Sequence, residues 1–222
     1  MPPTLRDISW PLAAGLLTYP GNPPFTRTRV ARVEQDGYAL EALSLSSHTG
    51  THLDAPAHFV PGGPGVDLIP PAALCGQALV LDARPAGKRI GADFLRRARL
   101  GEAERLLLRT LNEDLLPATW AEDHAALTAE GAAFLRAESR VRLVGIDYLS
   151  IEAGGAPDYP VHRALLAQEP PIYVLECLDL RGVTPGRHEL WCLPLRLPGR
   201  VIAPDCGPLH RDACLEALAL HA

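Results

Sequence analysis

"HTGTHLDAPAH" (residues 48–58) places three histidines and an aspartate within eleven positions of a 222-residue chain that has eight histidines in all. Whether this stretch is helical or extended decides how the rest of the chain is read. His48 and His52 are four apart, which on a helix would put both on one face. Between them, however, lie Thr49, Gly50 and Thr51, all poor helix formers, and Pro56 follows closely. The preceding "EALSLS" (41–46) alternates polar and apolar residues as a half-buried strand does. The stretch therefore reads as extended, with His48, Gly50, His52, Asp54 and His58 pointing to one side.

A straight strand could not bring these groups together. At about 3.3 Å per residue, His48 and His58 would stand roughly 33 Å apart, whereas bonds of about 2 Å to one ion require converging imidazoles. The chain must bend. Gly50 can take backbone angles closed to other residues and Pro56 ends ladder pairing, so both breakers lie where a strand would curl around an ion. Imidazole and carboxylate together suit zinc, manganese or iron, a transition metal rather than a particular one.

Outward from this stretch, short β-like runs recur at "QALVLDA" (77–83), "RLLLRT" (105–110), "VRLVGID" (141–147), "IYVLECLDL" (172–180) and "HELWCLPLRL" (188–197). They alternate with helical stretches at 91–99 and 121–139, the second rich in good helix formers. This pattern predicts one α/β domain over residues 1–222, a mixed sheet or barrel-like core flanked by helices. No G-x-G-x-x-G follows a strand, which argues against a doubly wound nucleotide fold. Pro and Gly cluster at 18–25, 60–71 and 153–160 in loops suited to surround a site.

Composition narrows the function classes. With 47% hydrophobic and 21% charged residues the chain is of ordinary globular type. A net charge of −5 with dispersed arginines offers no basic stripe, so no nucleic-acid partner is expected. No apolar run approaches the roughly 20 residues of a membrane span, and "MPPTLRDISWPL" lacks the layout of a secretion signal, so a cytoplasmic protein without a membrane partner is expected. Cys75, Cys177, Cys192, Cys206 and Cys214 are scattered and form no C-x-x-C pair, which points to reduced, packed thiols. No G-x-S-x-G elbow supplies a serine nucleophile.

Two distant residues bear on the cluster. In "IYVLECLDL" Glu176 would share a strand face with Ile172, Val174, Leu178 and Leu180. A carboxylate in an apolar stripe needs a cation, and no Lys or Arg lies between Arg163 and Arg181. His162, in "YPVHRALL", taken alone reads as a helix-start or packing histidine. Asp147 in "GID" reads equally as a strand-end acid or a support for the site. Trp10, Trp120 and Trp191 read as packing residues, and His124, His188, His210 and His221 show no partner pattern.

"HTGTHLDAPAHF", a Gly/Pro-rich loop, then "GID", "HRALL", "LECLDL" and "LWCLPLRL" together resemble the metal-dependent hydrolases of the cyclase family, which include bacterial kynurenine formamidase and isatin hydrolase. The resemblance covers nearly the whole chain. It implies a swivelling β/β/α-type fold, a homodimer or higher oligomer, and one or two divalent ions per chain, zinc or manganese. By position it implies that His48, His52 and Asp54 hold one metal, that Asp54 and Glu176 bridge to a second completed by His162, and that His58 donates and accepts protons. Formamidases usually carry Trp before the "PG" of the N-terminal loop and Ala in the third place of H-T-G-A-H. Here those residues are Tyr19 and Thr51, and Tyr19 would stack on an aromatic substrate. The C-terminal "APDCGPLHRDACLEALALHA" departs from the family pattern.

The expected activity is hydrolysis of a C–N amide bond in a small molecule by metal-activated water, an arylformamide such as N-formylkynurenine first. Cyclic amides such as isatin, lactones and esters are the alternatives within the family. A metal-binding protein without turnover is the alternative of another class.

Overall fold

Leu106, Leu107 and Leu108 are wholly buried, as are Leu143, Val144 and Ile146. Continuous apolar runs of this kind belong to strands covered on both faces. The computed structural model describes residues 5–116, 120–195 and 197, with the backbone alone of 216–221. Its strands are β1 (Leu5–Asp7), β2 (Thr26–Ala31), β3 (Leu40–Ser44), β4 (His52–Asp54), β5 (Gly76–Asp82), β6 (Arg89–Ile90), β7 (Arg105–Arg109), β8 (Ala126–Leu127), β9 (Leu143–Ile146), β10 (Tyr173–Glu176), β11 (Gly186–Pro194) and β12 (Glu216–His221). The helices are α1 (Val33–Asp36), α2 (Pro71–Leu74), α3 (Ala92–Ala98), α4 (Ala129–Glu138) and α5 (Pro160–Leu166).

Eight strands form one mixed sheet in the order β1-β12-β11-β5-β7-β9-β10-β4. Its centre, β5-β7-β9-β10, is parallel, and β4 and β11 flank it antiparallel. The two ends of the sheet curl towards each other. Ser9, just past β1, bridges Leu178, just past β10, and Asp179 N donates to Ile8 O at 2.8 Å. The mixed α/β sheet with flanking helices is therefore as the sequence predicts.

Alternation along the central strands makes two cores. Leu106, Leu108, Val144, Ile146 and Val174 pack with Leu95, Leu135 and Leu165 of the helices. Leu107, Leu143 and Leu175 face the other way, onto Leu53, Val66 and Ile69.

Several elements depart from expectation. The helix expected over 121–139 begins only at Ala129, where Thr128 Oγ1 accepts Gly131 N at 3.1 Å and caps it. The residues before it are held in another conformation by Asn112, which brackets the backbone of Ala125 with two 2.8 Å hydrogen bonds. "EALSLS" does supply β3, but in a hairpin with β2 that is mostly exposed rather than half-buried. Trp191 is 46% exposed and not a packing residue. The loop 60–71 expected at the site instead sends Val66 and Ile69 into the core. Cys206, Cys214 and His210 lie outside the described residues.

Candidate metal centre

The register between β4 and β10 builds the site. Leu175 lies opposite Leu53, Val174 opposite Asp54, and Glu176 opposite His52. Leu53 and Leu175 share one core while Val174 enters the other, so alternation turns His52, Asp54 and Glu176 to the helix side together. There α5, which Pro160 starts, presents His162 from its first turn. The predicted stripe holds for Ile172, Val174 and Glu176. It fails beyond, because Cys177 takes φ +60 and turns Leu178 and Leu180 into the opposite core.

The bend required of 48–58 is present. Gly50 adopts φ +66, and Pro56 opens a short 3-10 turn ending at His58. The rings of His48 and His58 are 4.2 Å apart. Thr51 locks the bend in place: its hydroxyl accepts Trp10 N at 2.9 Å and donates to Cys177 O at 2.5 Å, just after Glu176.

Asp54 is the centre of the cluster. Its oxygens lie 3.1 Å from His48 Nδ1, 3.7 Å from His52 Nε2, 3.8 Å from His162 Nε2 and 4.0 Å from His58 Nε2. Glu176 lies 3.3 Å from His52 Nε2 and 3.2 Å from His162 Nε2, and its Oε1 also accepts Ile151 N at 2.7 Å. His52, Asp54, His162 and Glu176 are all at most 5% exposed. Two sets, His48–Asp54–His58 and His52–Asp54–Glu176, each bring one ligand atom per residue to within 4.8 Å of the others. Ligands on a tetrahedral ion with bonds of about 2 Å stand roughly 3.3 Å apart, which the His48–Asp54 and His52–Glu176 separations of 3.1 and 3.3 Å match and the His52–Asp54 and His58–Asp54 separations of 3.7 and 4.0 Å exceed.

The donor set itself fits a divalent cation. His52 Nδ1 faces Gly50 O at 2.8 Å and His162 Nδ1 faces Glu152 Oε2 at 2.7 Å. Each of those acceptors calls for the ring hydrogen on Nδ1, which leaves Nε2 of the neutral ring presenting a lone pair to carboxylate oxygens. Both oxygens of Asp54 and Nε2 of His52 are buried with no hydrogen-bond donor aligned on them among the described residues. Acceptors turned on acceptors in a buried site require a proton or a metal ion between them.

The titration behaviour of the metal-free chain expresses the same demand. Burial pushes the Asp54 carboxyl up, but the surrounding imidazoles, His58 and His48 foremost, outweigh it and hold the group far below the usual range. Burial disfavours a charged His162, yet its hydrogen bonds to Glu152 and Glu176 raise it to about 10. His52 rises to about 9 against the same penalty, through Glu176 and Asp54. Burial pushes the Cys177 thiol well up, so no thiolate nucleophile stands beside Glu176.

A cavity of about 260 Å³ opens onto the ligands, lined among others by Tyr19, Asn22, Phe59, Leu149 and Tyr159. Tyr19 meets Trp120 edge-on at 4.9 Å. His48, His52, His58, His162 and Glu176, all singled out from the sequence, line the same cavity.

Glu152 is the residue that sequence reasoning missed. Its Oε1 accepts Val161 N at 2.9 Å while Oε2 holds His162, so one carboxylate sets both the start of α5 and the orientation of its histidine. The available signal was an acid in the loop leaving the carboxyl end of a predicted strand, where binding residues collect in α/β sheets. Asp147 acts elsewhere. Its two oxygens hold Thr110 N at 2.7 Å and Thr110 Oγ1 at 2.6 Å, bracing the exit of β7.

Fold and site together define an α/β protein whose buried His, Asp and Glu cluster is a candidate centre for a divalent metal ion. The chain belongs to the family described as putative cyclase, whose model matches residues 6–153. It is similar to the kynurenine formamidase of Salinibacter ruber, 34% identical over 211 residues, 94% of this chain and 98% of that protein. A solved structure described as a potential metal-dependent hydrolase with cyclase activity is 27% identical and superposes with a TM-score of 0.81, covering 99% of this chain and 98% of the other. Isatin hydrolase A from Labrenzia aggregata shares the fold, with a TM-score of 0.79 at 22% identity over 98% of this chain and 93% of that one.

Proposed function

We propose that the protein is a metal-dependent hydrolase that cleaves the C–N bond of a small arylformamide, of the N-formylkynurenine type, with water. The observation that carries this reading is the buried Asp54, ringed by imidazole nitrogens at 3.1–4.0 Å beneath an open cavity. A divalent ion held there would polarise a carbonyl and lower the pKa of water from about 15.7 to near 7.

His48, His52 and Asp54 hold one ion, and Asp54, Glu176 and His162 make room for a second; zinc or manganese suits these ligands. His58 Nε2 takes the proton of the attacking water and returns it to the leaving nitrogen, since an imidazole titrates near working pH. Its place in the cavity lining, on the short turn that follows β4, supports a residue that works at the cavity. His58 also meets the distance requirement for a ligand, and the variant below separates the two roles. Tyr19 stacks on the aryl ring. The single domain, residues 1–222, acts in the cytoplasm as a homodimer or higher homo-oligomer on a small-molecule substrate. No helix among the described residues is long and apolar enough to cross a membrane.

A cyclic amide of the isatin type is the second reading. Its ring opening breaks the same kind of bond, on a fold this chain shares. The test is hydrolysis by zinc- and manganese-loaded protein of a panel of formamides, cyclic amides, lactones and esters. N-formylkynurenine is expected to exceed the rest. The His58→Ala variant is expected to keep its metal and lose hydrolysis, whereas metal lost with the histidine makes His58 a ligand. Full activity in metal-free protein overturns the reading.

A further inference from the structure

Asp158 and Tyr159 are consecutive non-glycine residues in the left-handed region, at φ 61 and φ 50. Such a conformation is costly for a residue with a Cβ, and an aromatic side chain gains nothing locally from it. Tyr159 is also the residue before α5, a position usually held in extended conformation by Ser, Thr, Asp or Asn capping the helix. Tyr159 makes no side-chain cap bond there. The task of ordering the helix start falls to Glu152 instead, through Val161 N.

The strained backbone does deliver the ring to the cavity. Tyr159 lines it, with its ring 5.3 Å from that of Phe59 and 6.5 Å from that of His162. It remains 45% exposed, so the core does not need it. Tyr19 reaches the same cavity from a different loop, and Tyr159 is among the groups that raise its hydroxyl pKa, after burial itself, which puts the two hydroxyls within electrostatic reach. The same lining includes the small or apolar Ala153, Gly155, Ala156 and Leu149 beside the polar Asn22 and Ser150. Strain of this kind concentrates at ligand clamps, where the surrounding structure holds it in place.

We infer that Tyr159 is a specificity-determining residue which, together with Tyr19, seats a flat aryl group beside the metal ligands, so that the enzyme selects amides carrying a planar aromatic substituent over equally bulky alicyclic ones. This rests on the hydrolase reading above and deepens it, naming the substituent the cavity recognises.

The test compares the zinc-loaded parent with Tyr159→Asn, which tolerates left-handed backbone but has no ring, and with Tyr159→Phe. The substrates are formanilide and N-cyclohexylformamide. An aromatic contact accounts for up to about tenfold in affinity, so Tyr159→Asn is expected to raise KM for formanilide by up to about tenfold. The aryl-to-cyclohexyl ratio of kcat/KM should fall by the same factor, Tyr159→Phe should retain the aryl preference, and Tm should rise in Tyr159→Asn as the strain is relieved. An unchanged aryl-to-cyclohexyl ratio in Tyr159→Asn, or equal damage in Tyr159→Phe, overturns the inference. A fall in Tm makes the ring a packing group and also counts against it. If the parent hydrolyses neither these two compounds nor any member of the panel above, the hydrolase reading fails on its own. The clamp is then judged by calorimetric binding of benzamide against cyclohexanecarboxamide: a preference lost only in Tyr159→Asn supports it, and equal affinities in the parent overturn it.

Discussion

Among the described residues Glu152 reaches the proposed metal ligands through His162, whose Nδ1 it holds at 2.7 Å. Carboxylates in this position fix the tautomer of a ligating imidazole and raise its basicity, and their loss costs about 10- to 100-fold in metal affinity. Glu152→Gln is therefore expected to fold, keep the ligand set and bind zinc that much more weakly in a competition with a chromophoric chelator; unchanged affinity would show that Glu152 serves only the start of α5. Protons compete for the same nitrogens. In the metal-free chain His52 is raised to about 9 and His162 to about 10 by neighbouring carboxylates, so both imidazoles hold a proton at neutral pH that an ion must displace. The sign follows directly: apparent affinity rises with pH below the folded pKa values, by about tenfold per unit for each proton displaced. Calorimetric titration of zinc between about pH 6 and about 8, in buffers of different protonation heat, should show this rise and the released protons. A flat profile would mean that neither histidine ligates.

At the scale of elements, the turn from His48 into β4 depends on one backbone position. Gly50 has φ +66, and a Cβ there would stand 2.9 Å from Leu12 Cδ2. Gly50→Ala should cost about 1–2 kcal/mol of stability, read from urea unfolding, and lower metal occupancy by shifting His48 against Asp54. Wild-type occupancy in a folded Gly50→Ala protein would show that the bend tolerates other angles. This bend was legible in the sequence because it follows from the rise of an extended chain and the backbone limits of glycine and proline. So were β5, β7 and β9, whose apolar runs leave few alternatives. The end of β10 was not. Nothing local in "ECLDL" announces the left-handed Cys177, which is held by its bond to Tyr148 O and by the Leu178 bridge to Ser9. The early start predicted for α4 failed for a similar reason, since Asn112 captures Ala125 from thirteen residues away.

For the whole molecule, the proposed ligands come from the bend and β4, from α5 and from β10, spanning residues 48 to 176. They converge only when the sheet is paired and α5 is docked, so the ion binds the folded chain alone. Metal present at about 100 times its Kd should then add about 2.7 kcal/mol to stability. Thermal unfolding with and without a chelator should show a metal-dependent Tm, with activity lost and regained in step. A Tm indifferent to metal would show that the centre does not form in the folded chain.

Local features were legible along the chain: a bent ligand segment, the apolar strands and an acid at Glu176 that lacks a local cation, with Tyr19 added by the family resemblance. By itself the sequence also carried that resemblance, to which the matched relatives correspond. The loops 18–25 and 153–160 line the cavity as their composition suggests, whereas folding alone sets Glu152 on His162, sends loop 60–71 into the core and turns Asp147 onto Thr110. The physical reason is range. Backbone limits and side-chain alternation act over a few residues and can be read along the chain, whereas these pairings depend on the register of β4 on β10 and the docking of α5. Both are settled by the packing of two cores that draw on residues from Ile8 to Cys192.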